Sequence, residues 1–374
     1  MPTHLGQPSL SSRDDAPLKS YFVTFLKIAI PLGVVIWLLG TIPPDQLEQL
    51  RERPKNWPML GSAFVLSLLA TCITFIRWYL LVRAIQLPFR LSDAFRLGFL
   101  GYLFNFISIG AVGGDLFKAF FLAREQPRRR AEAVSTVIVD RMIGLYALLL
   151  VTSTAILFAD FPSPSPALSS ICKMTHLATL LGGLGIVMVL VPGFTRGSLS
   201  EWLAGLPRVG ETLQQLISAV RMFRDKPLTM LLIVAMSMLV QSFFVVALYL
   251  IARSLFAVTP TLAEHFIIVP LSMVAGALPL TPAGLGSFEL AMDELYTRVP
   301  AAGAGDVIGV LVALVFRLVS IAIAAVGVVY YWTSRREVQA VLHAVEETQT
   351  HAERSLSKPE PTGTNRSPGG SPTP

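Results

Sequence analysis

Charged residues are scarce in this sequence. Lys, Arg, Asp and Glu together make up 14% of its 374 residues, whereas hydrophobic residues make up 53%. Soluble domains carry about 25% charged residues, so the composition argues against an ordinary soluble fold and predicts an integral membrane protein. The formal net charge is +6, and the basic residues are scattered between apolar segments. Such scattering is typical of loops retained on the inner side of a membrane, and it argues against nucleic acid as a partner.

Cysteine and histidine are also scarce. The sequence has two cysteines, Cys72 in an apolar segment and Cys172 in a predicted loop, and five dispersed histidines. This pattern predicts neither a disulfide framework nor a metal site. A P-loop, an HExxH motif and a GxSxG motif are all missing from the sequence, so we predict no cofactor and no ATP hydrolysis by the chain itself.

Long apolar stretches dominate what is present. Six of them approach the roughly 20 residues that a membrane-spanning helix needs. They are about Tyr21–Thr41, Met59–Leu81, Ala133–Ala159, His176–Val191, Leu228–Ala252 and Val307–Trp332. We therefore predict a polar N-terminal segment over residues 1–20 and a membrane domain over 21–332. Residues 333–374 end in a Pro-, Gly- and Ser-rich sequence and are predicted to form a disordered cytoplasmic tail.

Two further apolar segments, about Leu91–Arg124 and Leu262–Arg298, are interrupted by helix-breaking residues. The breaks are Gly110, Gly113 and Gly114 in the first segment, and Pro279, Pro282, Gly284 and Gly286 in the second. Such segments are tolerated at membrane depth only where they are buried in protein or line a cavity. The predicted fold is therefore an all-α polytopic membrane protein with about six full spans plus two re-entrant helical hairpins.

The two halves of the chain share an internal repeat. The features that correspond are Tyr79 with Tyr249, Phe95 with Phe266, Gly114 with Gly286, Asp115 with Glu289, and Arg141 with Arg317. The repeat units cover about 59–159 and 228–332. Three predicted crossings separate them, so the units have opposite orientations. An inverted repeat of this kind predicts a binding site between the halves, near the middle of the membrane.

Lys and Arg residues predict the orientation. They are concentrated between Arg83 and Arg130, between Arg196 and Lys226, and after the last span. Because basic loops remain inside, both termini are predicted to be cytoplasmic in a multi-pass cell-membrane protein. The loop over residues 42–58 opposes this assignment mildly, since it carries three basic residues on the predicted outer side.

Charged side chains inside apolar spans are the candidate functional residues. Placing an arginine at the bilayer centre costs at least about 2.5 to 3.5 kcal/mol. Arg141 and Arg317 are the better functional candidates, while Arg77 and Asp140 are supporting residues, and Arg77 is equally well explained as structural.

The restarted helices offer backbone N–H groups at their first turns. Those of Gly113, Gly114 and Asp115, and those near Gly284, Gly286 and Ser287, could hold an anion. Ser287 is a predicted helix cap. A lipid headgroup phosphate would then lie between these ends, with Lys118, Arg141 and Arg317 as counter-charges.

An alternative is that these charges pair internally, Asp115 with Arg141 and Glu289 with Arg317, and fix each hairpin to the following span. Both interpretations can hold if substrate exchanges for a carboxylate. Asp115 or Glu289 could instead carry a coupling proton. Two lone polar residues, Asn105 and Gln241, are predicted to form helix–helix hydrogen bonds.

The motifs Gly113-Gly114-Asp115 with Lys118, Asp140-Arg141, and Thr281-Pro-Ala-Gly-Leu-Gly286 with Glu289 resemble those of the lysylphosphatidylglycerol synthase transmembrane, or flippase-like, family. The chain departs from the family in having Ile107-Ser-Ile109 where a proline usually precedes the first Gly-Gly-Asp, and Lys118 where arginine is common. The soluble aminoacyl-transfer domain of full-length synthases has no counterpart in the sequence. The resemblance therefore implies lipid translocation or lipid handling and argues against lysyl transfer.

Two functions follow as hypotheses. The first is a lipid transporter that translocates an anionic or polar lipid, or a lipid-linked precursor, between leaflets. The second is a membrane-embedded lipid transferase, or an accessory subunit of a lipid-modifying enzyme. The expected partner is a membrane lipid, with a lipid-synthesising enzyme or a second copy of the chain as further partners.

Overall fold

The computed structural model describes residues 55–107, 113–158, 166–190, 223, 226–277, 286–299 and 308–333. In these ranges the regular structure is entirely helical, and five of the helices are long and apolar enough to cross a membrane. The helices are α1 (Trp57–Ala84), α2 (Leu91–Ile107), α3 (Gly113–Glu125), α4 (Arg130–Phe158), α5 (Pro166–Leu190), α6 (Pro227–Leu255), α7 (Leu262–Ala277), α8 (Ser287–Arg298) and α9 (Gly309–Thr333). The chain is an all-α polytopic membrane protein, as predicted.

Several predicted features lie outside the described residues. They are the first predicted span at Tyr21–Thr41, the polar N-terminal segment, the tail after residue 333, and the interruptions at 108–112 and 278–285.

The prediction for the fourth span was wrong at its beginning. Helix α5 begins at Pro166, ten residues before His176, so Cys172 lies in a helix and not in a loop. Proline is favoured in the first helical turn because its missing N–H is not needed there. The serine and proline residues before Pro166 had led to a loop assignment that extended too far along the chain.

Helices α1 and α6 begin in related ways and bury related faces. Each has a proline in its first turn. All nine buried residues of α1, from Ala63 to Val82, have a buried counterpart 170 positions later in α6, from Ile233 to Ala252. This recurrence supports the internal repeat, because chance similarity of apolar sequence does not require the same positions to be buried.

Helices α1 and α6 pack against each other in opposite directions. Arg77, near the C-terminal end of α1, donates to Ser237 Oγ in the N-terminal half of α6 at 2.9 Å. Ala63, near the beginning of α1, belongs to the same apolar cluster as Leu248 and Ile251 in the C-terminal half of α6. The two halves of the repeat therefore meet through antiparallel copies of the same helix.

Helices α2 and α3 form a hairpin. Going along α2 from its end, Asn105 contacts Gly114, Phe104 stacks on Phe117 with ring centroids 4.6 Å apart, and Arg96 lies 5.5 Å from the centre of the Phe121 ring. The residue numbers in α2 decrease along this series while those in α3 increase, so the two helices are antiparallel.

Helices α7 and α8 form the corresponding hairpin. Gly276, near the end of α7, lies against Phe288 in the first turn of α8. Further back, Tyr296 Oη donates to Nε2 of His265 at 2.8 Å, since His265 Nδ1 donates to the Thr261 carbonyl at 2.9 Å. Both side chains are fully buried.

None of the four hairpin helices is long enough to cross a bilayer alone. They have 17, 13, 16 and 12 residues, which at 1.5 Å per residue give lengths of about 18 to 26 Å, whereas the hydrocarbon core is about 30 Å thick. Entry and exit on one side of the membrane remains a prediction for both hairpins.

Each hairpin also packs against a span of the other half. Helix α7 contacts α4, and α2 contacts α9, where Phe99 stacks on Tyr330 with ring centroids 5.8 Å apart. This interlocking places both hairpins at the interface between the halves.

Candidate functional site

A cavity of about 360 Å³ lies between the two halves. It is lined by residues of α1, α2, α3 and α4 from the first half and of α6, α7, α8 and α9 from the second. Its charged lining residues are Arg77, Asp115, Lys118, Asp140, Arg141 and Arg317. All six were singled out from the sequence, and the fold brings them to one space.

In the first half, Asp115 lies in the first turn of α3 and bonds to two cations. Lys118, one turn later, places Nζ 2.9 Å from Asp115 Oδ1, and Arg141 of α4 places Nη1 3.2 Å from Oδ2. The Lys118 ammonium also lies 5.5 Å from the centre of the Trp78 ring. The Arg141 side chain is 34% exposed, so this cluster is accessible at its arginine.

Gly114 allows α3, which carries Asp115 and Lys118, to pack closely against α2. A Cβ on Gly114 would lie only 1.9 Å from the carbonyl oxygen of Gly101 on α2, so α3 can approach α2 this closely only with glycine there. The Gly114 N–H donates to the Asn105 side chain at 2.8 Å. Gly113, which was also a candidate binding residue, is the first residue of α3 and is buried.

In the second half, the carboxylate of Glu289 is fully engaged. Its Oε2 accepts the Gly286 N–H at 2.7 Å, and its Oε1 accepts from Nη2 and Nε of Arg317 at 2.7 and 3.2 Å. Glu289 is completely buried, while the Arg317 side chain is 20% exposed. The negative group at the beginning of α8 is thus supplied by the helix itself, where it is favoured by the unmet N–H groups.

The prediction that Ser287 caps this helix was wrong. Gly286 is the N-cap residue and Ser287 is the first helical residue. Gly286 has a φ of 90°, a conformation that only glycine adopts readily. Gly284 lies outside the described residues.

Arg77 and Asp140 form a buried ion pair at 2.8 Å. Arg77 also donates to Ser237 of α6 at 2.9 Å and to the backbone carbonyl of Asp140 at 3.3 Å. Arg77 therefore links α1, α4 and α6 at the cavity wall. The sequence indicated that both residues were unusual but did not indicate that they bind each other.

The two internal ion pairs predicted from the sequence, Asp115 with Arg141 and Glu289 with Arg317, are both present. Each joins the beginning of a hairpin helix to the following span. The predicted role of these residues in binding substrate remains a prediction.

Sequence reasoning missed part of the cavity. Asn105 and Gln241 form the helix–helix hydrogen bonds that were predicted, Gln241 with the Gly144 carbonyl at 3.4 Å, but both also line the cavity. The lining also includes Tyr102 and three phenylalanines, which were not predicted: Phe244, Phe288 and Phe316. The repeat offered a signal for Phe316, which corresponds to the candidate residue Asp140 of the first half.

The cavity has the chemistry of an anion site. Among the described residues at its wall, with Glu289 included, four basic side chains face three acidic ones. Arginine binds phosphate through two parallel donors, and a cavity of several hundred Å³ is within the size range of ligand pockets.

One protein family, described as the lysylphosphatidylglycerol synthase TM region, matches residues 24–346, which is most of the chain. A search of curated proteins gives no match.

Proposed function

The chain belongs to the lysylphosphatidylglycerol synthase TM region family, and from this membership and the cavity we propose that it translocates an anionic or polar membrane lipid. The lipid would be a phosphate-bearing amphiphile or lipid-linked precursor, and the protein would lie in the cell membrane with both termini in the cytoplasm.

One observation carries this proposal. Arg141 and Arg317, at corresponding positions of the two halves, both line one cavity, and each is bound to a carboxylate at the beginning of a hairpin helix. A charge is costly at membrane depth, so retaining an arginine in both halves at one cavity requires a reason. A lipid phosphate that exchanges with the carboxylates provides one.

The packing is compatible with alternating access. Each hairpin packs against a span of the other half, so movement of one hairpin would alter the cavity wall formed by both. In inverted-repeat transporters such movement opens a fixed site to each side in turn. Hydrocarbon tails could remain in the bilayer while only the headgroup enters the cavity.

The test is a translocation assay in proteoliposomes with a fluorescent phosphatidylglycerol, whose transfer between leaflets is followed by dithionite quenching. Two variants each remove one of these arginines without leaving a carboxylate unpaired. The first is Arg141→Met, in which Asp115 still bonds to Lys118, and the second is Arg317→Met combined with Glu289→Gln. A charge-assisted hydrogen bond is worth about 1.5–3 kcal/mol, so each variant should lower the translocation rate about ten- to hundredfold.

The chain offers a matched control. Arg83 and Arg253 are also related by the repeat, and both lie exposed in the last turns of α1 and α6. The double variant Arg83→Met with Arg253→Met removes the same number of arginines away from the cavity and should translocate at the wild-type rate. Wild-type rates in the folded cavity variants, or no translocation by the wild-type protein, would refute the proposal. Formation of a new lipid product by the purified protein would favour a transferase instead.

A further inference from the structure

The two halves of the cavity differ in polarity although their helices correspond. Three charged residues of the first half have apolar counterparts in the second half. The pairs are Arg77 with Ala247, Lys118 with Met292, and Asp140 with Phe316. All three charged residues line the cavity.

Neutral polar residues show the same direction of change. Three of them line the cavity in the first half, and their counterparts in the second half line it too. The pairs are Thr74 with Phe244, Tyr102 with Met273, and Asn105 with Gly276. Thr71 of the first half and its counterpart Gln241 in the second half are both polar. The apolar lining residues Phe75, Leu145 and Leu148 of the first half have apolar counterparts. At the corresponding positions that line the cavity in both halves, polarity is therefore either kept or lower in the second half.

The apolar residues of the second half form a continuous surface. Phe316 lies 6.0 Å from Phe244 and 6.0 Å from Phe288, measured between ring centroids. We call these three rings the phenylalanine cluster.

The two ion pairs differ as well. Both oxygens of Glu289 are occupied, one by Arg317 and one by the Gly286 N–H, and the carboxylate is completely buried. Asp115 instead bonds to Lys118 and to the more exposed Arg141, at 2.9 and 3.2 Å. A ligand anion can therefore reach the 34% exposed side chain of Arg141 while Asp115 keeps its bond to Lys118, whereas at Arg317 it would have to replace a completely buried carboxylate.

We propose, on the basis of the proposed function, that the two halves bind different parts of one lipid: Lys118 and Arg141 of the first half bind the headgroup phosphate, and the phenylalanine cluster of the second half binds a hydrocarbon chain. The ligand class is a phosphodiester amphiphile, because the basic side chains at the wall exceed the acidic ones by one when Glu289, the partner of Arg317, is counted. In this bound state Arg317 stays paired with Glu289 and holds the second hairpin in place, and the exchange of phosphate for Glu289 belongs to a later step of translocation.

The experiment maps the two ends of a bound lipid. Full-length protein in phosphatidylcholine proteoliposomes is photolabelled with phosphatidylglycerol carrying a diazirine either on its glycerol headgroup or at the end of one acyl chain. Labelled peptides are identified by mass spectrometry, with and without excess unlabelled phosphatidylglycerol. Helix α5, whose apolar residues are largely exposed, serves as the reference for bulk-lipid labelling, which the competitor should not reduce.

The expected result is segregation of the competed labels. The headgroup probe should label α2, α3 and α4, and the chain probe should label α6, α8 and α9. Phe244→Thr, which introduces the residue found at the corresponding position of the first half, should lower competed chain labelling about tenfold, because it removes one of the three apolar rings that would contact the chain. Its headgroup labelling should not change. Phe158→Thr, the same substitution at an exposed site at the end of α4, should change neither.

Equal labelling of both halves by both probes, a reversed pattern, or no competed label in the cavity would overturn this assignment. The outcome is separable from that of the translocation assay. Segregated labels without translocation would refute the proposed function and support the binding assignment. Translocation with unsegregated labels would support the proposed function and refute the binding assignment.

Discussion

Replacing Arg77 with Met would remove one partner of the buried ion pair that joins α1 to α4. Arg77 Nε and Asp140 Oδ1 lie 2.8 Å apart with side chains only 5% and 7% exposed. At an effective dielectric constant of about 20, the attraction at this distance is about 6 kcal/mol, and the desolvation of both charges opposes it. Because Asp140 would remain buried without its partner, we expect Arg77→Met to lower the free energy of unfolding by about 3–5 kcal/mol.

The double variant Arg77→Met with Asp140→Leu separates the ion pair from packing. A buried pair can often be replaced by apolar residues at little cost, and the repeat has Ala247 and Phe316 at the corresponding positions of the second half. The double variant should therefore be more stable than Arg77→Met alone by about 2 kcal/mol or more. The assay is reversible unfolding in mixed micelles with increasing dodecyl sulfate, followed by far-UV circular dichroism.

The control for this prediction is Arg83→Met, which removes an exposed arginine from the last turn of the same helix. Its effect should stay within about 0.5 kcal/mol. The buried-pair explanation would be wrong if Arg77→Met were no more destabilising than Arg83→Met. It would also be wrong if the double variant lost as much stability as Arg77→Met and Asp140→Leu lose together when each is made alone.

Two further predictions concern the first hairpin. Gly114→Ala should lower the free energy of unfolding by about 1–3 kcal/mol or more, because its Cβ would overlap the Gly101 carbonyl, whereas Gly61→Ala meets open space and should be neutral or slightly stabilising in the same unfolding assay. Asp115→Asn should increase phosphatidylglycerol binding about tenfold, since the carboxylate no longer competes for Arg141. Binding is measured by native mass spectrometry, and weaker binding together with lower stability would indicate that the Asp115 pairs are structural only.

The membrane fold and the position of the cavity could be predicted from the sequence because each depends on a local and costly property. A long apolar stretch has few alternatives to a spanning helix, and arginines inside such stretches must be satisfied within the protein. The repeat then related Arg141 to Arg317 and Asp115 to Glu289, so both ion pairs could be predicted before their distances were known.

Other features depend on contacts that a single sequence does not display. The bond between Arg77 and Ser237 joins residues 160 positions apart, and no local pattern relates them. The cap of α8 depends on the backbone at Gly286, where a φ of 90° favours glycine over the serine that follows. The helical assignment of Cys172 required the beginning of α5, and the beginnings and ends of helices are the least predictable part of a helix.

Residues that the two halves share are expected to maintain the fold, whereas residues that differ between the halves are expected to select the ligand. Both halves keep an arginine–carboxylate pair where a hairpin helix meets the next span, as expected if these pairs hold the shared architecture. Lys118 has no basic counterpart in the second half, since Met292 occupies the corresponding position. If selectivity for the headgroup resides only in the first half, Lys118→Met should weaken phosphatidylglycerol binding while stability changes little, because Asp115 retains Arg141. Unchanged phosphatidylglycerol binding in a folded Lys118→Met variant would show that this cation does not select the headgroup.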